Sequence, residues 1–346
     1  MNILLVVSPS QGDGKTAISL TLAHHIANSG KKVTALKPFA SKTEISNEAD
    51  LSAFSNLVTS KPLEWPMELP ESGLIDARGK ADKGLEEVKK ELSKIAQSYD
   101  LLILELPSKR PHEEQAKVAE FLEAKVLAVI RHKHALETKK LKQYLVSFGK
   151  SLSGVLINAR TKYTSHEVQT LFIPELEDVN IKVFGTIPED RTLLASTVDQ
   201  VVEHLNGEYA LKIDDRSTEL IENFLVGGWT MDEGALYFST KDNKAVITRG
   251  DRPDLQMSAL STETACLIMT KGIKPIEYVE YEAQEEGVSI VVVDKDTIST
   301  MESLNSLVDN SKFDHISKLE RLHELIKSEV DSASLLDDIG LSLIHI

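Results

Sequence analysis

The stretch that most constrains this fold lies at the start of the chain. Five consecutive apolar residues, Ile3 to Val7, run straight into a loop containing Gly12, Gly14, Lys15 and Thr16. Behind the loop, Ile18, Leu22 and Ile26 recur every four residues, the spacing of one helix face, and Gly30 supplies a stop. A strand without polar alternation must be covered on both faces, which is the condition of a parallel sheet clad in helices. KVTAL (32–36), LLILEL (101–106), AKVLAVIR (124–131), SGVLINAR (153–160) and IKVFGTIPEDR (181–191) repeat the strand theme. Helical patterns at 83–98, 135–149 and 192–205 alternate with them. This alternation predicts an α/β fold with right-handed crossovers and a mainly parallel sheet flanked by helices.

The polar stretch NGEYALKIDD (206–215) breaks the pattern and is read as a linker after a first domain, 1–205. A second, smaller α/β domain is expected over 216–330. In it TELIENFLVGG (218–228), DLQMSALSTET (254–264), PIEYVEYEAQEEG (275–287) and SKLERLHELIKSEV (317–330) read as helical. GALYFST (234–240), KAVITRG (244–250), ACLIMTKG (265–272) and VSIVVVD (288–294) read as strands. Gly227-Gly228 reads as a tight turn with Trp229 packed on the core. Residues 331–346 form a tail, and its last five, SLIHI (342–346), resemble a translated sequencing-adaptor end and are set aside.

Charge and cysteine usage narrow the functional classes. The net charge of -15 would repel a nucleic-acid backbone, so no nucleic-acid partner is expected. The single cysteine, Cys266, allows no internal disulfide and no cysteine-rich metal site, and its apolar surroundings suit a buried thiol. No apolar segment reaches the length of a membrane span and no leader-type segment opens the chain, so a cytoplasmic protein is expected.

The glycine-rich loop carries the chemistry. The P-loop pattern is G-x-x-x-x-G-K-[ST]; Gly14-Lys15-Thr16 match its end, while Pro9 stands where the first glycine belongs. Strand before and helix after are the context that the pattern requires. Backbone N–H groups around Gly12, Asp13 and Gly14 would then cradle phosphates at the helix start, Lys15 would meet the terminal phosphates, and Thr16 would ligate Mg²⁺. The alternative is a turn that merely joins strand to helix.

The loop, ALKPFA (35–40), LLILELP (101–107), VLINAR (155–160) and GTIPEDR (185–191) occur in an order that resembles the dethiobiotin-synthetase-like P-loop domain. The resemblance implies ATP and Mg²⁺ as cofactors. It aligns Ser8 with the family's first loop glycine. It implies that Lys37 is the substrate-side lysine, holding a carboxylate or carbamate, and that Asp50 and Glu105 join Thr16 around the metal. It implies that Asn158 reads the base edge, with Pro188 and Glu189 passing the adenine. Each has a plainer reading: a surface lysine, a helix-start acid, a solvated strand end, a turn asparagine, and a turn in which Asp190 caps the next helix. Leu106-Pro107-Ser108-Lys109 departs from the family, because no glycine follows the strand glutamate and Pro107 lacks an N–H. Ser41-Lys42 likewise lacks a glycine found there in the family.

ITRGDRPDLQMSAL and LIMTKG resemble the DRTGG domain, with Gly250, Asp251, Arg252, Thr270 and Gly272 at its signature positions and Lys271 in place of a glycine. Physically, Asp251 can cap a helix whose first turn holds Pro253, and Arg252 can pair with Asp254 or face a phosphate. Such modules tend to be regulatory and to dimerise. The two domains in this order resemble the front part of long phosphotransacetylases, without the acetyltransferase domain. The resulting expectation is an ATP- and Mg²⁺-binding regulatory protein with weak or no hydrolysis. It would form a homodimer or higher oligomer through its second domain and have an acetyltransferase or other enzyme as a possible partner. The alternative is an ATP-dependent carboxylase or ligase of the dethiobiotin type.

Overall fold

The computed structural model describes residues 2–38, 73–76, 80–131, 138–228, 234–309 and 311–341. The chain divides into two units, one formed by Met1–Glu189 with Phe313–Ile346, the other by Asp190–Lys312.

The first unit is built on six strands: β1 (Ile3–Val7), β2 (Val33–Leu36), β3 (Leu101–Glu105), β4 (Lys125–Arg131), β5 (Leu152–Arg160) and β6 (Val183–Pro188). They lie in the order β2-β3-β1-β4-β5-β6, and every pairing is parallel. Its helices include α1 (Lys15–Ala27), α2 (Lys83–Ile95), α3 (His112–Leu122) and α4 (Thr138–Val146). The unbroken apolar runs do what they predict. Ile3, Leu5 and Val7 point into one cluster with Leu85 and Val88 of α2, Val118 and Leu122 of α3, and Leu141 and Tyr144 of α4. Leu4 and Val6, on the opposite face, are also fully buried. Asp82 starts α2 by accepting the N–H of Leu85 at 2.7 Å.

The second unit carries β7 (Ser196–Thr197), α5 (Val198–Leu205), β8 (Glu208–Leu211), β9 (Leu220–Ile221), β10 (Asn223–Val226), α6 (Gly234–Phe238) and β11 (Lys244–Arg249). It continues with α7 (Pro253–Leu260), β12 (Thr264–Thr270), α8 (Glu277–Glu285), β13 (Ser289–Val292) and α9 (Thr297–Asp309). Its sheet runs β10-β11-β12-β13-β8, parallel except for β8. Val198, Val201 and Leu205 of α5 and Leu304 of α9 cover one face with Ala245 and Ile247. Phe238, Ala259 and Val279, from α6, α7 and α8, cover the other with Val246 and Leu267.

Several local expectations are corrected. The 206–215 stretch holds β8, an edge strand paired with β13, rather than a linker; the chain changes unit at Asp190. Thr197 caps α5 through a reciprocal box with Gln200, so the expected 192–205 helix is split by β7. TELIENFLVGG forms β9 and β10 instead of a helix, because β10 finds a partner in β11. GALYFST forms α6 instead of a strand. Its buried residues, Gly234 and Phe238, are four apart and share one helix face, while Leu236 and Tyr237 stay exposed. The closing helix, α10 (Ile316–Glu329), and α11 (Ser332–Asp338) return to the first unit. There α10 packs on α1 and β6, and Asp331 donates its N–H to the Phe184 carbonyl at 2.7 Å. Trp229, Asp50, the Ser41-Lys42 pair and the SLIHI end lie outside the described residues. No helix among the described residues is long and apolar enough to cross a membrane.

Candidate functional site

Sheet order decides where the first unit can hold a ligand. The chain steps from β1 to β2 and β3 on one flank and to β4, β5 and β6 on the other. Connections leaving such a reversal part to opposite faces and open a crevice at the carboxyl ends of the strands. Parallel register then delivers particular residues there. Val6 lies beside Glu105 and Leu36 beside Leu104, so Lys37 and Glu105 emerge next to the loop that follows β1. On the other flank Arg131 lies beside Asn158, and Arg160 beside Pro188.

The loop is shaped by its glycines. Gly12 and Gly14 have φ of 81° and 95°, in the left-handed region that glycine enters without steric cost. Gly14 also stands at the N-cap of α1, where it has no side chain with which to cap the first turn. A Cβ on Gly14 would run into Nδ2 of Asn158. That amide donates to the Asp13 carbonyl at 2.9 Å. Asp13, 3% exposed, accepts the Ser10 N–H at 2.9 Å through Oδ2. Asn158, expected at a base edge, therefore also braces the loop. Ala159 beside it has φ 51°, and the β5–β6 register shifts there, an irregularity that re-aims side chains.

Charge converges on the loop from several strands. Lys15 is buried; its Nζ donates to Ser8 Oγ at 2.9 Å and to Ser108 Oγ. Thr16 Oγ1 lies 3.0 and 2.9 Å from the two carboxylate oxygens of Glu105. Lys37 Nζ donates to Thr16 Oγ1 at 3.0 Å and lies 3.5 Å from Glu105 Oε1. Lys37, expected to face a substrate acid, thus rests on the hydroxyl–carboxylate pair. That pair fits a small divalent cation: its donors are hard oxygens, and an ammonium already gathers at them. Among the described residues no group of three or more His, Cys, Asp and Glu side chains is arranged to hold a metal. A cation here would complete its shell with phosphate and water oxygens.

On the far flank Pro188 ends β6, and Glu189 donates its N–H to the Arg160 carbonyl at 2.9 Å. The Glu189 carboxylate pairs with Arg131 at 3.5 Å. Asp190 caps the following short helix by accepting from the Thr192 N–H at 3.0 Å. Arg131 and the contact of Ser108 with Lys15 escaped the sequence reading. Arg131 closes a buried strand as Glu105 does, and that repeated pattern was the available signal. No sequence pattern signals the Ser108 contact, which spans 93 residues.

The signature residues of the second unit bond locally. A Cβ on Gly250 would strike the backbone of Ile273, which explains the glycine. Asp251 does not cap α7. Arg252 holds the N-cap position, and the Asp251 carboxylate forks onto Arg249, which holds its carboxyl below the usual range. Arg252 pairs with Asp254, from Nε at 2.9 Å. Thr270 Oγ1 meets Thr297 Oγ1 at 3.2 Å. Lys271 and Gly272 follow with φ of 69° and 65°, and their N–H groups donate to Lys295 and Val293 carbonyls at 2.9 Å. Burial pushes the Cys266 thiol up to about 12, consistent with an inert core residue.

A six-stranded parallel sheet, a loop–helix anion cradle after its first central strand and a strand-end carboxylate beside it define the class of P-loop nucleotide-binding α/β proteins. The chain belongs to the family of CobQ/CobB/MinD/ParA nucleotide binding domains, whose model matches residues 4–200, more than half of its length. A DRTGG domain follows, matched over residues 200–307. Among solved structures the chain is similar to MinD, a cell division protein of Aquifex aeolicus, at 18% identity; the match covers 56% of this chain and 85% of that one, with a TM-score of 0.39. Cobyrinic acid a,c-diamide synthase from Mycobacterium smegmatis with bound ADP and magnesium matches at 15% identity, 55% and 87% coverage and a TM-score of 0.39. The CBS and DRTGG domains of the regulatory region of Clostridium perfringens pyrophosphatase, complexed with the activator diadenosine tetraphosphate, match at 15% identity, 49% and 79% coverage and a TM-score of 0.32.

Proposed function

We propose that this protein is an ATP- and Mg²⁺-dependent sensor with weak or no hydrolysis. Its P-loop unit registers the nucleotide, and its DRTGG unit passes that state to a second copy or a partner enzyme. The observation that carries this reading is the meeting of Lys15, Thr16, Glu105 and Lys37 at the glycine-led start of α1. Lys15 and the loop N–H groups would take the phosphates. Thr16 and Glu105 would hold Mg²⁺, with Lys37 moving off that pair as the cation arrives. Asp50 is proposed as a further ligand of the cation. Asn158, Pro188 and Glu189 would flank the base, with Arg131 as their neighbour.

A sensor, rather than a carboxylase of the dethiobiotin type, is supported by two features. Pro107 removes an N–H where a substrate would approach, and Lys37 is engaged on the cation side of the site. The DRTGG residues Asp251, Arg252, Thr270 and Gly272 are proposed to shape an interface rather than a catalytic centre. Exposed Ile276, Tyr278 and Tyr281 at α8 support a partner face there. The order of the two units supports a likeness to the regulatory front of phosphotransacetylases, with a separate acetyltransferase as one candidate partner.

Calorimetry with Mg·ATP tests the reading: the wild type should bind and Lys15→Ala should not. Phosphate release should stay slow with or without diaminopelargonate and bicarbonate. Stimulated, sustained turnover would replace the sensor with the ligase, and absence of nucleotide binding by the wild type would remove both.

A further inference from the structure

A cavity in the second unit plays no part in the nucleotide site. It measures about 540 Å³ and is bounded by Gly227 and Gly228 after β10, by Tyr237 and Phe238 of α6 and by Leu255 of α7. That size suits a small organic ligand. None of the described residues lining it is charged, so it offers no counter-charge to a phosphate. The two glycines leave one wall as bare backbone, and Tyr237 and Phe238 supply aromatic surface. Three side chains converge on the place where Gly227 lacks a Cβ. Thr248 Cγ2 would lie 2.9 Å from such an atom, Phe238 Cζ 3.1 Å and Leu255 Cδ1 3.6 Å.

Two buried polar atoms adjoin these lining residues. Thr248, which abuts Gly227, and Gln256, which follows Leu255 in α7, are both 0% exposed. Neither Thr248 Oγ1 nor Gln256 Oε1 has a hydrogen-bond partner among the described residues. Gln256 Nε2 donates to the Arg249 carbonyl at 2.9 Å and to the Gly250 carbonyl at 3.2 Å. Those bonds fix the amide, and Oε1 is the end left over. Leaving a hydroxyl and an amide oxygen buried and unpaired destabilises a fold, so both call for a partner.

We propose that this cavity binds an uncharged adenine, as base or nucleoside, and that Thr248 and Gln256 read its edge. Adenine presents an amino donor beside a ring-nitrogen acceptor. Gln256 Oε1 accepts from the amino group, and the Thr248 hydroxyl donates to the ring nitrogen. Leu255 turns aside to admit that edge, and the aromatic side chains of α6 cover the ring. Gly227-Gly228, read from the sequence as a turn, thereby forms a ligand wall. The site lies under α6, the crossover from β10 to β11, and needs no reversal of strand order. It belongs wholly to the second unit and goes beyond the phosphate-loop reading, on which it does not depend.

The test measures adenosine binding to the full chain by calorimetry, with thermal melting of the same samples. The wild type should bind adenosine and melt higher with it. Purine riboside, which lacks the amino group, should bind about tenfold more weakly. A Cβ at Gly228 meets nothing within 4 Å, so Gly228→Leu should fold. It should lose adenosine affinity by about tenfold or more and keep its Mg·ATP affinity. Thr248→Val keeps the side chain's shape and removes the hydroxyl. Without ligand it should melt at least as high as the wild type, yet bind adenosine about tenfold more weakly. A purely structural threonine would instead lower the melting temperature and leave the affinity unchanged. No adenosine binding by the wild type, equal binding of purine riboside, or full affinity in both variants would overturn the proposal and leave the phosphate-loop reading standing. A wild type that binds adenosine with these sensitivities but not Mg·ATP would remove that reading and leave this one.

Discussion

At the carboxyl edge of the first sheet, side chains from separate strands and loops reach across to one another. Lys15 meets Ser108, Thr16 meets Glu105, Lys37 meets both members of that second pair, and Asn158 reaches the loop backbone. At the same edge of the second sheet, charges are used up within a few residues of chain: Arg249 on Asp251, Arg252 on Asp254. Both edges carry glycines and charged residues, yet only the first converges. The difference follows from strand order. In the first sheet the neighbours β3-β1-β4 are out of chain order, so connections part and leave a crevice. In the second, β10 to β13 lie in chain order and leave no such reversal. A site needs a topology that points several strand ends at one place.

The comparison can be broken most severely by cutting the chain. A protein ending at residue 205 loses α10 and α11, whose Leu319, Leu322, Ile326, Leu335 and Leu336 are buried. Each buried leucine contributes about 2–5 kcal/mol, so this fragment should show no cooperative melting by circular dichroism. The fragment 190–312 should melt cooperatively. The reverse result would mean that the closing helices are not needed to complete the first unit.

Point substitutions come next. Lys15→Ala should weaken Mg·ATP binding about a hundredfold or more, since a charge-assisted contact to phosphate is lost from a buried position. Arg252→Ala should leave that affinity within about twofold, because its partner lies two residues away. Comparable losses from both would show that the second edge also takes nucleotide.

Gly14→Ala asks how tightly the first edge is shaped. The residue would hold a left-handed backbone and push against Asn158, costing about 1–3 kcal/mol of stability by denaturant unfolding. Gly228→Ala in the second unit has open space around its Cβ and should cost a few tenths of that in the same measurement.

The smallest effect separates the units by pH. His25 Nδ1 of α1 and His323 Nε2 of α10 lie 3.1 Å apart. Burial first, then Lys327 and the neighbouring histidines, lowers His323 to about 4 and moves His25 below the ordinary 6.5. The unfolded chain therefore binds more protons between those values, and stability of the first unit should fall as pH drops from 6.5 toward 4. Among the carboxylates of the second unit, Asp251 and Asp254 are lowered by their arginines, Asp296 by hydrogen bonds from Ser299, and Asp199, against an opposing burial effect, by hydrogen bonds from Tyr209, Ser217 and Lys212. Their contribution persists above 3.8 and is lost below it. Melting curves of the full chain at stepped pH should show the first loss near the histidine window, and His323→Gln should reduce it to the part due to His25.

Much of this molecule was legible in its residues. Unbroken apolar runs mark strands buried on both faces, and β1, β3 and β4 declare themselves that way, while β6, half-buried along its length, is read from its place in the alternation. Gly12, Gly14, Lys15 and Thr16 mark the loop because a phosphate cradle needs a left-handed backbone, an ammonium and a hydroxyl at fixed spacing. The errors came where local pattern was weak. Leu220, Ile221, Phe224 and Leu225 fit a helix face as readily as two short strands, and the pairing of β10 with β11 settled it. EYAL in the middle of a polar stretch became β8 because the edge of β13 offered hydrogen bonds.

The amino-acid order by itself determined which segments are strands with two covered faces and which loop can receive an anion, since periodicity and glycine placement are local properties. Folding in three dimensions decided that the chain's last helices complete its first unit, that Asp251 serves Arg249 rather than a helix end, and that Ser108 lies on Lys15. Those outcomes depend on contacts between residues far apart in the chain, or on competition between nearby partners, and neither is encoded in any short window.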